Sequence, residues 1–368
     1  MVNEMIEDFN EMMNDAKFSK YEEYIQSESK EIKDDVSRHV EHSAKLRDFI
    51  FKNMPEIKEK IKKIQQKNID KAQQELHQEK AIGAVDGSVV SYPVTAGVKC
   101  RIGVIAATYM KTLIKLAKYI TTTQITYLKD PLEFFEKAIA AKSVLSNLAI
   151  RSMMLYKERE VAVNLEEKFK FVHGPFLPWE LRSGRLKFKN ALNVSLELGR
   201  KMVKDKRIIA VVSDSMMKLD PSTTEDQLLP LTTMGNALLN PYEYMVANPS
   251  RVYWEKALDE SHFNQDDETM VRDFLKEIGD QLVTGVYKVG AKSYVFEAHE
   301  CYLEKAVSFI MADASNQRLR GFPLLIDYAD KACHRFFDAS SFNKMVEASY
   351  ISAGGITGIG DVSERRTR

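Results

Sequence analysis

The sequence predicts an α/β domain with a mixed sheet flanked by helices, preceded by an N-terminal helical extension. Apolar, β-branched runs such as AIGAVDGSVVSYPV (81–94) and CRIGVIAATYM (100–110) are typical of two neighbouring strands. After them, helical segments alternate with further strands, as in other α/β domains. Polar residues stand where several strands end, and open sheets of this class place their sites there.

Composition excludes several classes of protein. The chain has 368 residues, 44% of them hydrophobic, so it can bury a sizeable core. The chain has 53 Lys and Arg residues and 53 Asp and Glu residues, so it is not a globally basic nucleic-acid-binding protein. A local basic groove that binds nucleic acid is still compatible with this balance. Three scattered cysteines indicate buried thiols rather than a disulfide framework or a zinc site. With no membrane-length apolar run and an acidic start, we expect a cytoplasmic protein.

Residues 1–80 are polar, charged and free of glycine. Apolar residues recur within them at helical spacing, at Ile57, Ile61, Ile64, Ile69, Ala72 and Leu76. We expect long amphipathic helices that pack on the core, with a docking arm for another subunit as the alternative. The main domain should span 81–350, and the small, Gly-rich and finally charged stretch 351–368 should be a flexible tail.

The elements of the main domain follow from local patterns. The first two strands should be antiparallel, with a turn near TAGVK (95–99). A long helix should follow, with Asp130 as its cap, Pro131 in its first turn and Glu133 in a capping box. Prolines punctuate 216–268, which is expected to be mostly irregular. The remaining predicted elements are a strand at 169–176, a helix at 189–206, a strand at 207–214, a helix near 268–279, strands at 282–289 and 292–299, and helices near 301–313 and 323–337.

Asp86 raises a chemical question, because it is a lone carboxylate at the end of an apolar run and is followed by Gly87 and Ser88. A carboxylate is costly to desolvate there unless something offsets its charge, and a metal ion is one way to do so. His173 and Asp214 also close apparent strands. These three strand ends are the first sign of a shared site.

Three motifs resemble those of the NurA nuclease family: VDGS (85–88), VHGPF (172–176) and RGFPLLIDYADKACH (320–334). The resemblance covers about residues 80–340. It implies a ribonuclease-H-like core and a metal-dependent nuclease that resects DNA ends with the hexameric ATPase HerA. The chain departs from the family pattern at three positions: His173 stands where an Asp is usual, Phe322 where a Tyr is expected, and Asp330 where a His is expected.

The resemblance also implies site residues. Asp86, a helical glutamate, His173 and Asp330 would be catalytic groups and ligands of Mn²⁺ or Mg²⁺, because both substituted residues remain able to bind metal. The glutamate is either Glu158 or Glu160. Glu158 is slightly favoured, since it shares a helical stripe with apolar residues. Asp214 and Glu297 are further strand-end acids.

DNA contacts are expected mainly in LRSGRLKFK (181–189), at Arg182, Arg185 and Lys187, with Phe322 as an aromatic contact. Further candidates for phosphate contacts are Lys142, Arg151 and Arg159. The function expected is thus a metal-dependent DNA nuclease, a homodimer working with a HerA-like ATPase in DNA end processing or defence against foreign DNA. The alternatives are a catalytically weakened NurA-like DNA clamp or assembly subunit, and a helical adaptor unrelated to nucleic acid.

Overall fold

The computed structural model of the chain describes residues 21–94, 97–121, 144–184, 186, 190–213, 231–249 and 263–354. The chain divides into two compact units, Met1–Lys58 and Glu59–Arg368. In the described part of the first unit, a helix of 33 residues, α1, covers Tyr21–Asn53. Nearly all of its described side chains are exposed to solvent or only half-buried.

The second unit contains the sheet and the helices that cover it. The strands are β1 Ile61–Lys63, β2 Ile82–Val94, β3 Gly97–Ala107, β4 Thr112–Thr121, β5 Phe169–His173, β6 Ile208–Val212, β7 Glu243–Pro249, β8 Leu282–Lys288 and β9 Ser293–His299. After α2 (Pro55–Lys60), which crosses the division, the helices are α3 Gln66–Leu76, α4 Val144–Asn164, α5 Trp179–Arg182, α6 Ala191–Asp205, α7 Leu231–Leu238, α8 Gln265–Ile278, α9 Leu303–Ala314, α10 Leu324–Phe336 and α11 Ala339–Ser352.

The described strands form one sheet in the order β1-β7-β8-β9-β6-β5-β2-β3-β4. β5 pairs in parallel with β2 and β6, while the remaining pairs are antiparallel. Strands alternate their side chains between the two faces. Phe169, Phe171 and Phe296 thus pack against α9 and α10 on one face, whereas Val85 and Val172 pack against α4 and α6 on the other. The predicted α/β sandwich of a mixed sheet between helices is confirmed.

The hairpin of β2 and β3 is confirmed, and so are the predicted strands at β5, β6, β8 and β9. β4 was not predicted. It is an edge strand whose residues are mostly exposed or half-buried, including Lys115 and Lys118, so no apolar run marks it. β4 nevertheless pairs with β3 along its length, which makes β2, β3 and β4 a three-stranded meander.

Three expectations need correction. In the described parts of 216–268, which are 231–249 and 263–268, the chain is not mostly irregular, because α7 and β7 lie there and α8 begins there. Residues 59–80, expected in the extension, belong to the unit of the sheet: β1 pairs with β7, and α3 buries its apolar face. Cys301 is exposed, while Cys100 and Cys333 are buried.

Some expectations lie outside the described residues. These are the caps Asp130, Pro131 and Glu133, part of the turn at 95–99, Asp214 and most of the tail. In the part of the chain that the structure describes, the helices are too short or too polar to cross a bilayer.

Candidate active site

The site lies where the parallel pairing of β2 and β5 ends. The last paired residues are Val85 and Val172, and the next residues along the two strands are Asp86 and His173. His173 Nδ1 is 3.5 Å from Asp86 Oδ1, and His173 Nε2 is 3.1 Å from Ser213 Oγ, just after β6. β5 and β6 therefore end beside this imidazole, at the carboxyl edge where α/β sheets place their sites. β2 does not end there: it continues past Asp86 to Val94, so the expectation that Asp86 closes a strand is wrong.

Asp86 is almost fully buried, with 5% of its surface exposed. The backbone N–H of Gly87 donates a hydrogen bond to Asp86 Oδ1 at 2.9 Å. The His173 side chain is 33% exposed, so a small molecule can reach the imidazole while the carboxylate stays sheltered. The lone acid of this apolar run thus faces a histidine.

Helix α10 brings Asp330 to the same place. Cys333 Sγ, one turn further on, donates to the carbonyl oxygen of Asp86 at 3.2 Å. Burial and the negative charge of Asp86 raise the pKa of Asp330, and the two histidines His334 and His173 oppose that rise. The Asp330 carboxylate is thus close enough to Asp86 and His173 for their charges to act on it.

Glu158 approaches from the opposite face of β2. Because side chains alternate along a strand, Gly87 faces α4, whereas Asp86 faces the other side of the sheet. A Cβ atom at Gly87 would lie 2.4 Å from Glu158 Oε1, so only glycine allows this approach. Burial raises the pKa of Glu158 to about 8, the charge of Asp86 adds to the rise, and Arg159 opposes it. Glu160, the alternative, is half-buried and pairs with Lys157.

Arg159 is fully buried beside the site and holds it together. Its Nη2 donates to the carbonyl oxygens of His173 at 2.7 Å and Pro175 at 2.8 Å, and its Nη1 donates to Glu158. Beneath this turn, Glu297 Oε2 accepts a hydrogen bond from the backbone N–H of Phe176. Burial raises the pKa of Glu297, and Arg182 and Arg159 oppose the rise. The strand-end acid Glu297 thus supports the turn from within the core.

The helix that carries Asp330 is fixed by two further acids that the sequence analysis did not identify as site residues. Asp313 Oδ2 accepts from the backbone N–H of Leu325 in the first turn of α10, at 3.0 Å. Asp327 receives two hydrogen bonds from Arg320 Nη1, at 2.7 and 2.6 Å. Asp313 sits in the apolar segment SFIMADA, and a lone acid in such a segment is a signal that could have identified it.

The residues expected to contact DNA differ in their exposure to solvent. Phe322 is 1% exposed and packs on His173 and Tyr294, so it is a core residue. The Nε atom of Arg182 is buried. Burial lowers the pKa of its guanidinium, and the nearby acids Glu297 and Glu180 oppose that change. A guanidinium in this position does not suit an open phosphate contact. Arg159 is likewise internal. Arg151 is exposed and pairs with Glu180 at 3.0 Å. Lys142, Arg185 and Lys187 lie outside the described residues.

The donors suit a divalent cation in chemical type. Asp86, Glu158 and Asp330 supply the hard oxygen atoms that Mg²⁺ and Mn²⁺ prefer, and His173 supplies an imidazole. The carboxylates repel one another, since Asp86 raises the pKa of both other acids, and a bound cation would offset that repulsion. Arg159, however, engages one oxygen of Glu158. Within the described ranges, no three His, Cys, Asp or Glu side chains form an assembled metal-binding group.

No protein-family model and no curated protein matches the sequence. Among solved structures, the NurA nuclease from Sulfolobus solfataricus is 11% identical, with 91% of this chain and 98% of that chain covered and a TM-score of 0.52. A NurA structure bound to dAMP and manganese is 10% identical, with 84% and 93% covered and a TM-score of 0.45. Endonuclease V from Bacillus subtilis is 10% identical, with 76% and 92% covered and a TM-score of 0.34. The chain therefore has the ribonuclease-H-like fold of the Sulfolobus NurA nuclease, to which it is similar over 91% of its length.

Proposed function

We propose that the chain is a NurA-type nuclease that uses a divalent metal ion to hydrolyse phosphodiester bonds at DNA ends. The observation that carries this proposal is the 3.5 Å approach of His173 to Asp86 where the parallel pairing of β2 and β5 ends, with Asp330 on α10 close enough for their charges to act on it. The three residues come from two strands and a C-terminal helix, and the fold is that of a NurA nuclease. A partly exposed histidine beside a buried carboxylate, with a second carboxylate close enough for its charge to act, favours chemistry over support.

Phosphodiester hydrolysis needs an activated water and neutralisation of charge on the phosphate. A bound Mn²⁺ or Mg²⁺ supplies both, by lowering the pKa of water and by polarising the phosphate. Asp86 and Asp330 would hold the ion, with His173 as a nitrogen donor and Glu158 as a further oxygen donor. His173 has a second role open to it, because its half-exposed ring can accept a proton from water or give one to the leaving oxygen.

His173 is oriented for such a role by its neighbours. Asp86 faces Nδ1 and Ser213 Oγ faces Nε2, so both ring nitrogens have a polar partner. The carbonyl oxygen of His173 is fixed by Arg159, which limits movement of its backbone. Phe322 packs edge-on against the ring with a centroid distance of 5.7 Å. The imidazole therefore has three ring contacts, with Asp86, Ser213 and Phe322, and a third of the side chain stays exposed.

A second function is favoured by one observation. Arg159 donates to Glu158, and the described residues contain no assembled group of three metal-binding side chains. A catalytically weakened subunit, which clamps DNA or assembles a larger complex, would tolerate that arrangement. The two candidates differ in one measurable property, which is metal-dependent cleavage.

The test is degradation of end-labelled linear DNA in Mn²⁺, Mg²⁺ or chelator. Wild type is compared with Asp86→Asn, and with Asp273→Asn as a matched control, because Asp273 is an exposed carboxylate on α8. Cleavage that requires metal, is lost in Asp86→Asn and persists in Asp273→Asn supports the nuclease. Intact DNA in every reaction, with binding retained and with the partner ATPase and ATP present, supports the clamp instead.

The proposal includes a HerA-like hexameric ATPase as partner, assembly as a homodimer and action in the cytoplasm. This part rests on the motif resemblance alone. Light scattering on the purified chain, with and without a HerA-like ATPase, gives the mass of each assembly. A monomer that forms no complex with the ATPase would remove the partnership from the proposal and leave the nuclease assay unaffected.

A further inference from the structure

A strip of cations and aromatic rings runs along the meander away from the site, on the same face of the sheet as Asp86. Asp86 lies opposite Ile105 on β3, and Ile105 lies opposite Lys115 on β4. Because every second residue shares a face, Arg101 and Lys99 on β3 face the same side. From Ile105 to Lys99 the strand advances roughly 20 Å at about 3.3 Å per residue. The strip therefore begins level with Asp86.

Each of the three cations lies over an aromatic ring from α10 or α11. Lys115 Nζ is 3.7 Å from the ring centroid of Phe336, the Arg101 guanidinium is 4.8 Å from that of Phe342, and Lys99 Nζ is 5.9 Å from that of Tyr350. Such stacking holds a cation at a defined place without neutralising its charge. The strip thus presents three fixed positive charges.

Beside the strip is an open groove of about 540 Å³ between the edge strand β4 and helix α11. We call it the β4 groove. It is lined by Lys99, Tyr119, Phe342, Met345, Val346 and Tyr350, among others. Tyr119 is 44% exposed, and so is Phe336 near the Asp86 end of the strip. These are large apolar surfaces in contact with solvent next to fixed cations.

The acids nearby are engaged elsewhere. Glu347 on α11 accepts a hydrogen bond from Tyr92 Oη at 3.4 Å, on the sheet beneath the helix. Asp338 caps α11 by accepting from the backbone N–H of Ser341 at 2.7 Å. In these contacts, neither Glu347 nor Asp338 pairs with Lys99, Arg101 or Lys115. The charge of the strip is complementary to a polyanion.

We propose that the β4 groove and its strip bind a single-stranded nucleic acid and lead it to Asp86. This inference rests on the proposed nuclease function and adds the state of the substrate and its route. Fixed cations suit backbone phosphates, whereas exposed aromatic rings suit the faces of unpaired bases. In a duplex the base faces are stacked on one another, so rings at the surface would have nothing to stack on. The combination therefore favours a single strand over a duplex.

The experiment measures binding without cleavage. Fluorescence anisotropy of a labelled oligothymidylate of about 20 nucleotides is recorded in chelator over a range of salt concentrations. Wild type is compared with the triple variant Lys99→Gln, Arg101→Gln, Lys115→Gln. The matched control is Lys201→Gln, Lys204→Gln, Lys276→Gln, three exposed lysines on α6 and α8. Thermal unfolding of each variant verifies that it is folded.

We expect the triple variant to bind roughly ten-fold or more weakly, and its slope of log K against log salt to fall by about 2. Each lost phosphate contact in a single strand accounts for about 0.7 of that slope. Tyr119→Ala and Phe336→Ala should each weaken binding roughly five-fold or more without changing the slope, because stacking releases no counterions. The control should match wild type in both quantities.

Three results would overturn the inference. One is a triple variant that binds like wild type. Another is an equal loss of affinity for a blunt duplex, which would make the strip a general phosphate surface. The last is a change in oligomeric state by light scattering with oligonucleotide affinity unchanged, which would make the groove an interface between copies of the chain. Failure of the nuclease proposal looks different: the groove variants lose binding as expected, but no metal-dependent cleavage is found in wild type.

Discussion

Arg159 Nη2 donates to the carbonyl oxygen of His173 at 2.7 Å, and this bond joins helix α4 to the end of β5. The same nitrogen reaches Pro175, and the guanidinium has no exposed surface. A buried cation that serves two carbonyls and a carboxylate is an internal brace for the site. Its removal leaves all three acceptors without their donor.

We therefore expect Arg159→Met to lower the free energy of unfolding by about 3–5 kcal/mol, the cost typical of removing one partner from a buried ion pair. Arg151→Met is the matched control, because Arg151 lies on the same helix but is exposed, and its pair with Glu180 should contribute less than about 1 kcal/mol. Urea unfolding measures both. Equal losses in the two variants would mean that Arg159 does not brace the site.

Gly87→Ala tests the close approach of Glu158 to β2. The new Cβ would stand 2.4 Å from Glu158 Oε1 and 2.8 Å from Met154 Cγ, so both side chains must move. We expect a loss of stability of about 1–3 kcal/mol, as for other overpacked sites, together with a loss of cleavage. Gly83→Ala, on the same strand, is the control, since its nearest contact would be 3.3 Å away. Cleavage by Gly87→Ala at the wild-type rate would exclude Glu158 from the reaction.

His173→Gln keeps a polar side chain but removes the imidazole, which can accept a proton and give one up. We expect the cleavage rate to fall by roughly 10²–10⁴, the range for loss of a general acid or base. His42→Gln, at an exposed position on α1, should cleave at the wild-type rate. Single-turnover assays at saturating metal separate this effect from weaker metal binding. A normal rate at high metal concentration would reduce His173 to a ligand.

Asp313 makes stability depend on pH. Burial raises its pKa from 3.8 to about 7 in the folded chain. The folded state therefore holds a proton that the unfolded state has released, and stability should fall as pH rises from about 4 to about 7. Asp313→Asn should remove this dependence and be more stable than wild type at pH 7.5, by up to about 4 kcal/mol. The Asn oxygen can still accept from Leu325.

Urea unfolding at pH 5 and pH 7.5 measures that difference. Asp273→Asn, at an exposed carboxylate, should shift stability equally at both pH values. An identical pH dependence for wild type and Asp313→Asn would show that Asp313 is already ionised in the folded chain.

The sequence predicted those parts of the fold in which local pattern and burial agree. Four elements were predicted close to their observed bounds. Three are strands with apolar residues on their buried faces, β2, β3 and β9, and the fourth is α10, which has a strong apolar stripe. β4 was missed because an edge strand buries little. Between 231 and 249 the prolines predict irregular chain, but the structure has α7 and β7 there. Pro241 in fact precedes β7 and Pro249 ends it, so these prolines mark the bounds of the strand.

The candidate site was predicted unevenly for the same reason. Asp86 and Glu158 could be found because apolar neighbours indicated burial of each acid. Arg159 could not, since helix periodicity does not predict that two adjacent charged residues are both internal. Glu158 faces Gly87 on β2, and Arg159 faces the end of β5. The sequence of the helix does not predict these partners, because the helix and the two strands come together only in the folded chain. Phe322 was misassigned because an aromatic residue in a motif can equally be core.

The contact between Cys333 Sγ and the Asp86 carbonyl oxygen joins residues 247 positions apart. During synthesis, the meander of β2, β3 and β4 can form from neighbouring residues long before α10 has left the ribosome. Asp330 arrives with α10, so an unfinished chain has the first acid of the site but lacks the last. On the proposed nuclease function, hydrolytic competence would appear only once nearly all of the sheet and its covering helices are in place, which would spare the cell's DNA from partly made copies.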